Sequence, residues 1–256
     1  PHWLDIILKF SRRLWQPIQR RVFRYKPKNQ FANGGLFIAV VGGDGAGKTT
    51  VIEELHQWLS GKFEVKKLHM GKPAWSWMTT VIRGILKIGT ILRLYPFEGD
   101  VYEESQQTHG TPWFIRAVCT ARDRTLTYIQ ARRFSSNGNL VLCDRYSFPA
   151  FMKMDGPQCE TALASVEKAN WFLRRLANKE KSYYQRIKLP DLLIVLKVKP
   201  EIAALRKPDE TEASVRARTS EVWGLGWEKL SGFEVDANRS REEALSQVKA
   251  IVWEHL

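Results

Sequence analysis

A glycine-rich segment near residue 45 has the residue types and the spacing that bind phosphate groups. Its sequence is Gly42-Gly43-Asp44-Gly45-Ala46-Gly47-Lys48-Thr49, which matches the pattern G-x-x-x-x-G-K-[ST] in full. Glycines let backbone N–H groups converge on phosphate oxygens, and the N-terminus of the next helix adds positive potential. The lysine of this pattern reaches the β- and γ-phosphates, and the hydroxyl binds Mg²⁺. We therefore expect ATP and Mg²⁺ as cofactors, with ATP contacted by Gly42, Gly45, Ala46, Gly47, Lys48, Thr49 and Thr50.

A carboxylate at the end of a hydrophobic strand pattern supplies the second expected metal ligand. Asp144 follows the apolar run LVLC, which is where a Walker-B-type aspartate approaches Mg²⁺. The predicted metal ligands are therefore Thr49 and Asp144. Arg124 and Arg145 are interpreted as phosphate or substrate contacts, because arginines beside a phosphate-binding loop seldom serve only as solvated charge. The alternative for both arginines is a surface salt bridge.

The elements that must position these residues alternate between strands and helices. Strand patterns occur at 36–41, 63–70, 139–144, 191–198 and 233–237, with helical patterns between them and at the C-terminus. The run at 191–198 is continuously apolar, which is typical of a parallel strand covered on both faces. The alternation predicts an α/β fold of the three-layer P-loop NTPase type, with a five-stranded parallel sheet and helices on both faces. The region from about 160 to 187 is predicted to be helical.

Two segments combine apolar residues at helical spacing with Lys and Arg. The first, at 3–24, predicts a basic amphipathic helix that is joined by a polar linker to a P-loop domain at 35–256. The second is at 79–94, and its apolar face holds Val81, Ile85, Ile88 and Leu92. For residues 1–34 three interpretations stay open: packing on the domain or on the partner in a homodimer, contact of residues 1–24 with an anionic membrane, and nucleic-acid binding. The last is least favoured, because no nucleic-acid module accompanies the charge.

The composition is that of a globular protein with an excess of positive charge. The net charge is +13 over 256 residues, and residues 1–30 alone hold eight Lys or Arg against one Asp, a balance of +7. Three cysteines without a CxxC pair suggest neither a disulfide framework nor a zinc site, which fits a reducing compartment. No apolar run approaches the roughly 20 residues of a membrane span, and the first residues do not resemble a secretory signal. The expected location is cytoplasmic, with peripheral attachment to a membrane surface as the alternative.

Three motifs together resemble the thymidylate kinase family of P-loop nucleoside monophosphate kinases. They are Asp44 within the P-loop, Ala-Arg-Asp-Arg at 121–124 and Asp-Arg-Tyr at 144–146. Residues 190–207 are similar to that family's strand before a mobile lid, and residues 235–244 to its closing strand and adenine-side loop. The resemblance covers about 36–256. It is nearer to divergent members found among bacterial surface-polysaccharide genes, whose pattern His109-Gly110-Thr111-Pro112 fits.

The resemblance implies transfer of the ATP γ-phosphoryl group to a nucleoside monophosphate, and it implies a role for each matching residue. Arg145 and Lys72 would hold the acceptor's phosphate, and Arg124 would contact its base or an equivalent head group. Asp44 would touch the sugar hydroxyl or organise the site. Arg206 would lie against the adenine, with Asn238 beside it. The catalytic residues implied are Lys48, Asp144, Arg145, Arg216 and Arg218.

The lid at about 206–222 is the expected source of positive charge for the transfer. Some thymidylate kinases place a basic residue in the P-loop directly after the Asp, but this chain has Gly45 there. Arg216 and Arg218 in the lid would supply the charge instead. A helix starting near Glu212 separates them by about 200°, so only one can face the phosphates well. Arg216 is slightly favoured.

Departures from the family pattern concentrate on the acceptor side. Thr120 stands where the family stacks an aromatic ring on thymine, one helical turn before Arg124, and is the expected acceptor contact at that place. The segment SFPAFMKMDG follows the Asp-Arg-Tyr motif in place of the family's elements, and the stretch between Lys72 and Arg124 is long. Three functions therefore remain open: a nucleoside monophosphate kinase, a kinase for a glycan, sugar phosphate or lipid-linked head group, and a P-loop protein that uses ATP as a switch.

Overall fold

The computed structural model describes residues 28–94, 110–147, 155–164, 166, 170–207 and 211–256. The strands are β1 Phe37–Gly42, β2 Val65–His69, β3 Leu140–Asp144, β4 Leu192–Lys197 and β5 Gly232–Asp236. The helices are α1 Lys48–Ser60, α2 Trp77–Ile91, α3 Thr111–Ser136, α4 Cys159–Ala164, α5 Trp171–Tyr184, α6 Pro200–Leu205, α7 Glu212–Gly224 and α8 Arg241–Glu254, with a 3₁₀ helix at Trp227–Leu230. The predicted helix at 3–24 and His109 lie outside the described residues.

The five strands form one parallel sheet in the order β2-β3-β1-β4-β5. Strand β1 lies at the centre, with Ala39 level with Cys143 of β3 and with Leu193 of β4. The predicted α/β fold class with a five-stranded parallel sheet is therefore confirmed. Because the chain turns at the carboxyl end of β1 and leaves the sheet there, the P-loop lies beside the ends of β3 and β4, where open parallel sheets bind ligands.

Both faces of the sheet are covered by helices, because β1 directs alternate side chains to opposite faces. Ile38 and Val40 pack in one apolar cluster with residues of α1 and α8. Phe37, Ala39 and Val41 pack in the other, with residues of α3 and with Tyr184 at the end of α5. Burying a Val, Ile or Phe side chain contributes about 1.5–3 kcal/mol relative to leaving it exposed. The two clusters bury the P-loop strand between the two layers of helices.

Two segments differ in detail from the sequence prediction. The helical region expected at about 160–187 contains two helices, α4 and α5, and Asn170 caps the second by accepting a hydrogen bond from the Leu173 N–H at 2.9 Å. The segment predicted as a linker lies against the domain from Asn29 onward. The Asn29 N–H donates to the Lys62 carbonyl at 2.9 Å, and the ring of Phe31 stacks on that of Phe63. Among the helices of the described residues, none has the length and apolar character needed to cross a bilayer.

Candidate active site

The P-loop connects β1 to α1 and places Lys48 at the first position of the helix. Gly45 and Gly47 have φ values of +75° and +85°, a left-handed conformation that residues with a side chain rarely adopt. The Lys48 ammonium donates to the carbonyls of Gly42 at 3.0 Å and Gly43 at 2.7 Å. The Lys48 side chain therefore folds back over its own loop.

Burial makes the charge of Lys48 costly. Its pKa is lowered to about 8, chiefly because burial penalises the ammonium and secondly because Arg145 carries the same charge. Nearby carboxylates, Asp44 first, act in the opposite direction. An anionic ligand in the loop would restore the ammonium, because an opposite charge within a few ångströms favours the charged form.

The two predicted metal ligands lie next to each other. The Thr49 hydroxyl donates to Asp144 Oδ2 at 2.8 Å. The other oxygen, Asp144 Oδ1, is buried and has no hydrogen-bond partner among the described residues. A buried carboxylate oxygen without a partner fits an oxygen-binding cation, and Mg²⁺ is held by one or two protein oxygens together with phosphates and water. The described residues hold no cluster of three or more His, Cys, Asp or Glu able to bind a metal, so this pair carries the metal interpretation.

A buried carboxylate, Asp44, collects three cations at the P-loop. Its Oδ1 accepts from Arg145 Nη2 at 2.8 Å and lies 3.9 Å from Lys48 Nζ. Its Oδ2 lies 3.0 Å from Arg218 Nε. We call these four residues the P-loop cluster. Three cations against one carboxylate leave the cluster with excess positive charge at the place where phosphates are expected.

Arg145 has an unusual backbone conformation. It directly follows β3 with φ +58°, which costs an L-residue roughly 1–2 kcal/mol. Its N–H donates to the Val40 carbonyl of β1 at 3.3 Å. A side chain on Gly71 would come within 2.8 Å of Arg145 Cδ, so the loop after β2 holds the arginine side chain closely. Such strain is often found at functional sites.

Helix α7, in the segment predicted to be the lid, begins at Glu212, as expected, and directs its two arginines differently. The Arg216 guanidinium pairs with Glu212 at 2.8 Å and lies 3.7 Å from Glu201. Arg218 instead reaches Asp44 in the P-loop cluster. The role of either arginine in transfer stays a prediction, but the geometry points to Arg218 and not to Arg216.

Contact between helix α7 and the P-loop is close. A β-carbon on Gly43 would lie 2.6 Å from the Thr219 hydroxyl of α7. Thr219 is itself buried. Only a glycine at position 43 lets α7 come near enough for Arg218, one residue before Thr219, to reach Asp44.

The two residues predicted on the adenine side lie at one corner of the P-loop. Arg206 Nη1 donates to the carbonyls of Gly45 at 3.2 Å and Ala237 at 3.1 Å. Asn238 follows Ala237, and its side chain accepts from the Lys199 N–H at 2.8 Å and donates to Asp236 at 2.6 Å. A cavity of about 660 Å³ opens next to Asn238, between Trp223, Arg239 and Gln247 among others. The structure therefore brings Arg206 and Asn238 together, and adenine contact stays a prediction.

Arg124, predicted to contact the acceptor, is enclosed by protein groups. Its guanidinium pairs with Asp155 Oδ1 at 2.8 Å and donates to the Tyr184 hydroxyl at 2.6 Å. It also donates to the carbonyls of Met70 at 3.0 Å and Gly71 at 3.1 Å. We call these five residues the Arg124 cluster. Acceptor contact by Arg124 stays a prediction that would require it to exchange these bonds.

The other two predicted acceptor residues differ in exposure. Lys72 is exposed in the loop after β2, and its N–H donates to His69 Nδ1 at 3.0 Å. Thr120 is buried on α3, where its hydroxyl donates to the Arg116 carbonyl at 3.0 Å and accepts from Arg83 Nη2 at 3.4 Å. Thr120 therefore links α3 to α2, whereas Lys72 is accessible to a ligand.

Sequence reasoning missed Asp155 and Thr219. Asp155 lies in the segment that replaces the family's elements after the Asp-Arg-Tyr motif, so no pattern marked it as the partner of Arg124. The signal for Thr219 was weak: it is a threonine beside a lid arginine, with nothing to show that it faces Gly43. Both roles depend on contacts between segments far apart in sequence.

Curated proteins with sequence similarity span most of the chain, whereas no protein-family model matches it. The uncharacterized ATP-binding protein YghS of Escherichia coli K12 is 26% identical over 216 residues, which cover 81% of this chain and 88% of YghS. The uncharacterized ATP-binding protein YghR of the same strain is 25% identical over 222 residues, covering 84% of this chain and 86% of YghR. YghR of Escherichia coli O6:H1 gives the same values. The chain is thus similar, at low identity, to proteins whose names state ATP binding.

Proposed function

We propose that this protein is an ATP- and Mg²⁺-dependent kinase that transfers the γ-phosphoryl group of ATP to a small acceptor. The observation that carries the proposal is the meeting of two groups of residues at the carboxyl ends of β1 and β3. One is the P-loop cluster, with its three cations around Asp44. The other is the Thr49–Asp144 pair, in which Asp144 Oδ1 has no hydrogen-bond partner among the described residues.

ATP is the donor that fits these residues. The P-loop pattern binds nucleotide phosphates, and the names of YghS and YghR state ATP binding. Arg206 and Asn238 would lie on the adenine side, because Arg206 bridges Gly45 of the P-loop to Ala237. We expect Lys48 to exchange its two loop carbonyls for the β- and γ-phosphates.

Phosphoryl transfer needs positioning and neutralisation of charge, with no covalent intermediate on the protein. Mg²⁺, when held by Thr49 and Asp144, would supply part of that neutralisation. Arg218 is the residue best placed to supply the rest from the lid, since it already reaches the P-loop cluster. Arg145 would hold the acceptor's phosphate on the other side of Asp44. Asp44 would then keep both arginines in place before the ligands arrive.

Two classes of molecule are candidates for the phosphoryl acceptor. The resemblance to thymidylate kinases implies a nucleoside monophosphate. The bonding of Arg124 and Thr120 favours a non-nucleotide acceptor such as a glycan, sugar phosphate or lipid-linked head group. Arg124 is enclosed, and Thr120 offers no aromatic surface on which a base could stack. We therefore expect thymidylate to be a poor acceptor.

A screen with ATP radiolabelled on its γ-phosphate tests the proposal. The purified chain is incubated with Mg²⁺ and with nucleoside monophosphates, sugar phosphates, glycans and lipid-linked head groups in separate reactions. We expect label to enter one acceptor class, and Lys48→Ala to lower its incorporation at least about a hundredfold. Saturable conversion of thymidylate to the diphosphate would restore the plain family assignment. Tight binding of ATP without label transfer to any acceptor would instead favour the ATP-switch alternative.

A further inference from the structure

Helix α2 turns the apolar side of its amphipathic pattern away from the protein. Trp77 and Ile85 are 76% and 62% exposed, and Val81, Ile88 and Leu92 are each more than half exposed. At about 100° per residue these five positions fall within a sector of roughly 80°. We call them the α2 stripe. Large apolar side chains that are exposed as a continuous row mark an interaction surface.

Contacts with α3 fix this orientation of the helix. The Ser76 hydroxyl caps α2 by accepting from the Thr79 N–H, and it accepts another bond from Arg122 Nη1 at 3.0 Å. Further along, Arg83 Nη2 donates to the Thr120 hydroxyl at 3.4 Å, and the Arg83 guanidinium lies over the ring of Trp75. Thr79 and Gly89 are buried on the inner side. The stripe is therefore not the helix's packing face.

The charge around the stripe has one sign. From residue 71 to residue 94 the chain contains Lys72, Arg83, Lys87 and Arg93 and no Asp or Glu. Lys87 and Arg93 are exposed. An apolar face with Trp, flanked by Lys and Arg on a helix without acidic residues, is the pattern of helices that lie in the interface of anionic membranes.

We propose that the α2 stripe docks onto the surface of an anionic phospholipid membrane. The row of Trp77, Val81, Ile85, Ile88 and Leu92 enters the boundary between headgroups and acyl chains, while Lys87 and Arg93 contact lipid phosphates. A second copy of the chain fits less well, because two-fold pairing places the same basic flanks together. An anionic surface neutralises those flanks. This inference is independent of the kinase proposal, since none of these residues belongs to the P-loop cluster.

A vesicle sedimentation assay with the full chain tests the inference. The probes are vesicles of phosphatidylglycerol mixed with phosphatidylcholine, and vesicles of phosphatidylcholine alone. We expect the wild type to sediment with the anionic vesicles, and Ile85→Ser with Ile88→Ser to reduce binding about tenfold or more. Lys87→Glu should reduce binding roughly tenfold, because each basic residue near such a surface contributes measurably to attachment.

A tryptophan pair supplies the matched control. Trp77 on the stripe and Trp253 on α8 are 76% and 63% exposed, and α8 covers the opposite face of the sheet from α3. Trp77→Ser should weaken vesicle binding severalfold, whereas Trp253→Ser should not. These positions are exposed, so a thermal melt is expected to show each variant folded. Should the double isoleucine variant fail to fold, the tryptophan pair and Lys87→Glu decide alone.

Three outcomes would overturn the inference. In the first, the wild type stays in solution when anionic vesicles are sedimented. In the second, the stripe variants sediment as the wild type does, and membrane binding then belongs to another part of the chain. Alternatively, the wild type could form a dimer in sedimentation velocity that Ile85→Ser with Ile88→Ser dissociates. The stripe would then be an interface between copies.

Discussion

In the P-loop cluster, Arg145 and Arg218 share one carboxylate with Lys48, whereas in the Arg124 cluster one arginine has Asp155 and several carbonyls as its own partners. The exposed fractions of the side chains follow this difference. Arg145 and Arg218 are 32% and 24% exposed, and Arg124 is 1% exposed. The first cluster has more positive than negative charge, and the second pairs one arginine with one carboxylate.

Positive charge is available to a ligand in the P-loop cluster and not in the Arg124 cluster. Removal of a buried arginine whose donors are occupied destabilises the fold, because its carboxylate partner is left as an uncompensated buried charge. Arginines that share a carboxylate and remain partly exposed can contact phosphate oxygens without leaving a buried group unpaired. From this contrast we predict that Arg145 and Arg218 contact ligands and that Arg124 has a structural role.

The largest expected effect separates the two lid arginines. Arg218→Ala should lower kcat on the order of a thousandfold, because a well-placed arginine stabilises the charge of the transferred group. Arg216→Ala is the matched control on the same helix. Its loss of exposed pairs with Glu212 and Glu201 should change kcat less than about twofold. ATP affinity should be nearly the same in both variants, as measured by calorimetry. If both single variants and the double variant keep wild-type turnover, the lid is not the source of the charge.

A stability measurement comes next in size and compares the two clusters directly. Arg124→Met should destabilise the protein by about 3–5 kcal/mol, because Asp155 and the Met70 and Gly71 carbonyls lose a buried partner. The midpoint of thermal unfolding should fall by about 10 °C.

Arg145→Met is the comparison for that measurement. This substitution should lower the free energy of unfolding by about 1 kcal/mol or less, because the Arg145 side chain is partly exposed and Asp44 keeps Lys48 and Arg218 as partners. It should nevertheless abolish acceptor binding. If Arg124→Met unfolds at the wild-type temperature, the enclosed cluster is not structural. Its arginine is then free to contact the acceptor.

The sequence predicts the sheet and the phosphate loop because both depend on local patterns. Five strand patterns and a complete P-loop motif were sufficient for the fold class and for the neighbourhood of Thr49 and Asp144. The direction of a side chain on a helix depends on what packs opposite to it. Spacing could show that Arg216 and Arg218 point apart. Which of them meets the P-loop is shown by the packing of α7, which brings Thr219 close to Gly43 and Arg218 to Asp44.

The enclosure of Arg124 was beyond sequence reasoning for a related reason. Its partners come from the loop after β2, from Asp155 and from the end of α5, which are between 31 and 60 residues away along the chain. A motif match transfers the position of a residue and not the bonding of its side chain. The segment that contains Asp155 is also the one that departs from the family pattern.

The smallest expected effect is a dependence of ATP affinity on pH, and it arises only in the P-loop cluster. The pKa of Lys48 is lowered from 10.5 to about 8, mainly by burial. A bound polyphosphate favours the ammonium and raises this pKa. The affinity for ATP should therefore be highest well below pH 8, where Lys48 is already protonated. It should fall as pH rises through 8, because ATP must then bind together with a proton.

Titration calorimetry between pH 7 and pH 9 measures this effect. For a group with a pKa of about 8 in the free protein, ATP affinity should fall about tenfold over these two units, and binding at pH 8 should take up about half a proton. Buffers with different ionisation enthalpies report the proton directly. The terminal phosphate of ATP contributes little, because phosphate esters lose their second proton near pH 6. Lys48→Arg is the control: arginine keeps its charge throughout, so its weaker affinity should not vary with pH. Constant wild-type affinity with no proton uptake would mean that Asp44 and Asp144 offset the burial of Lys48 completely, and that the lysine is charged before ATP arrives.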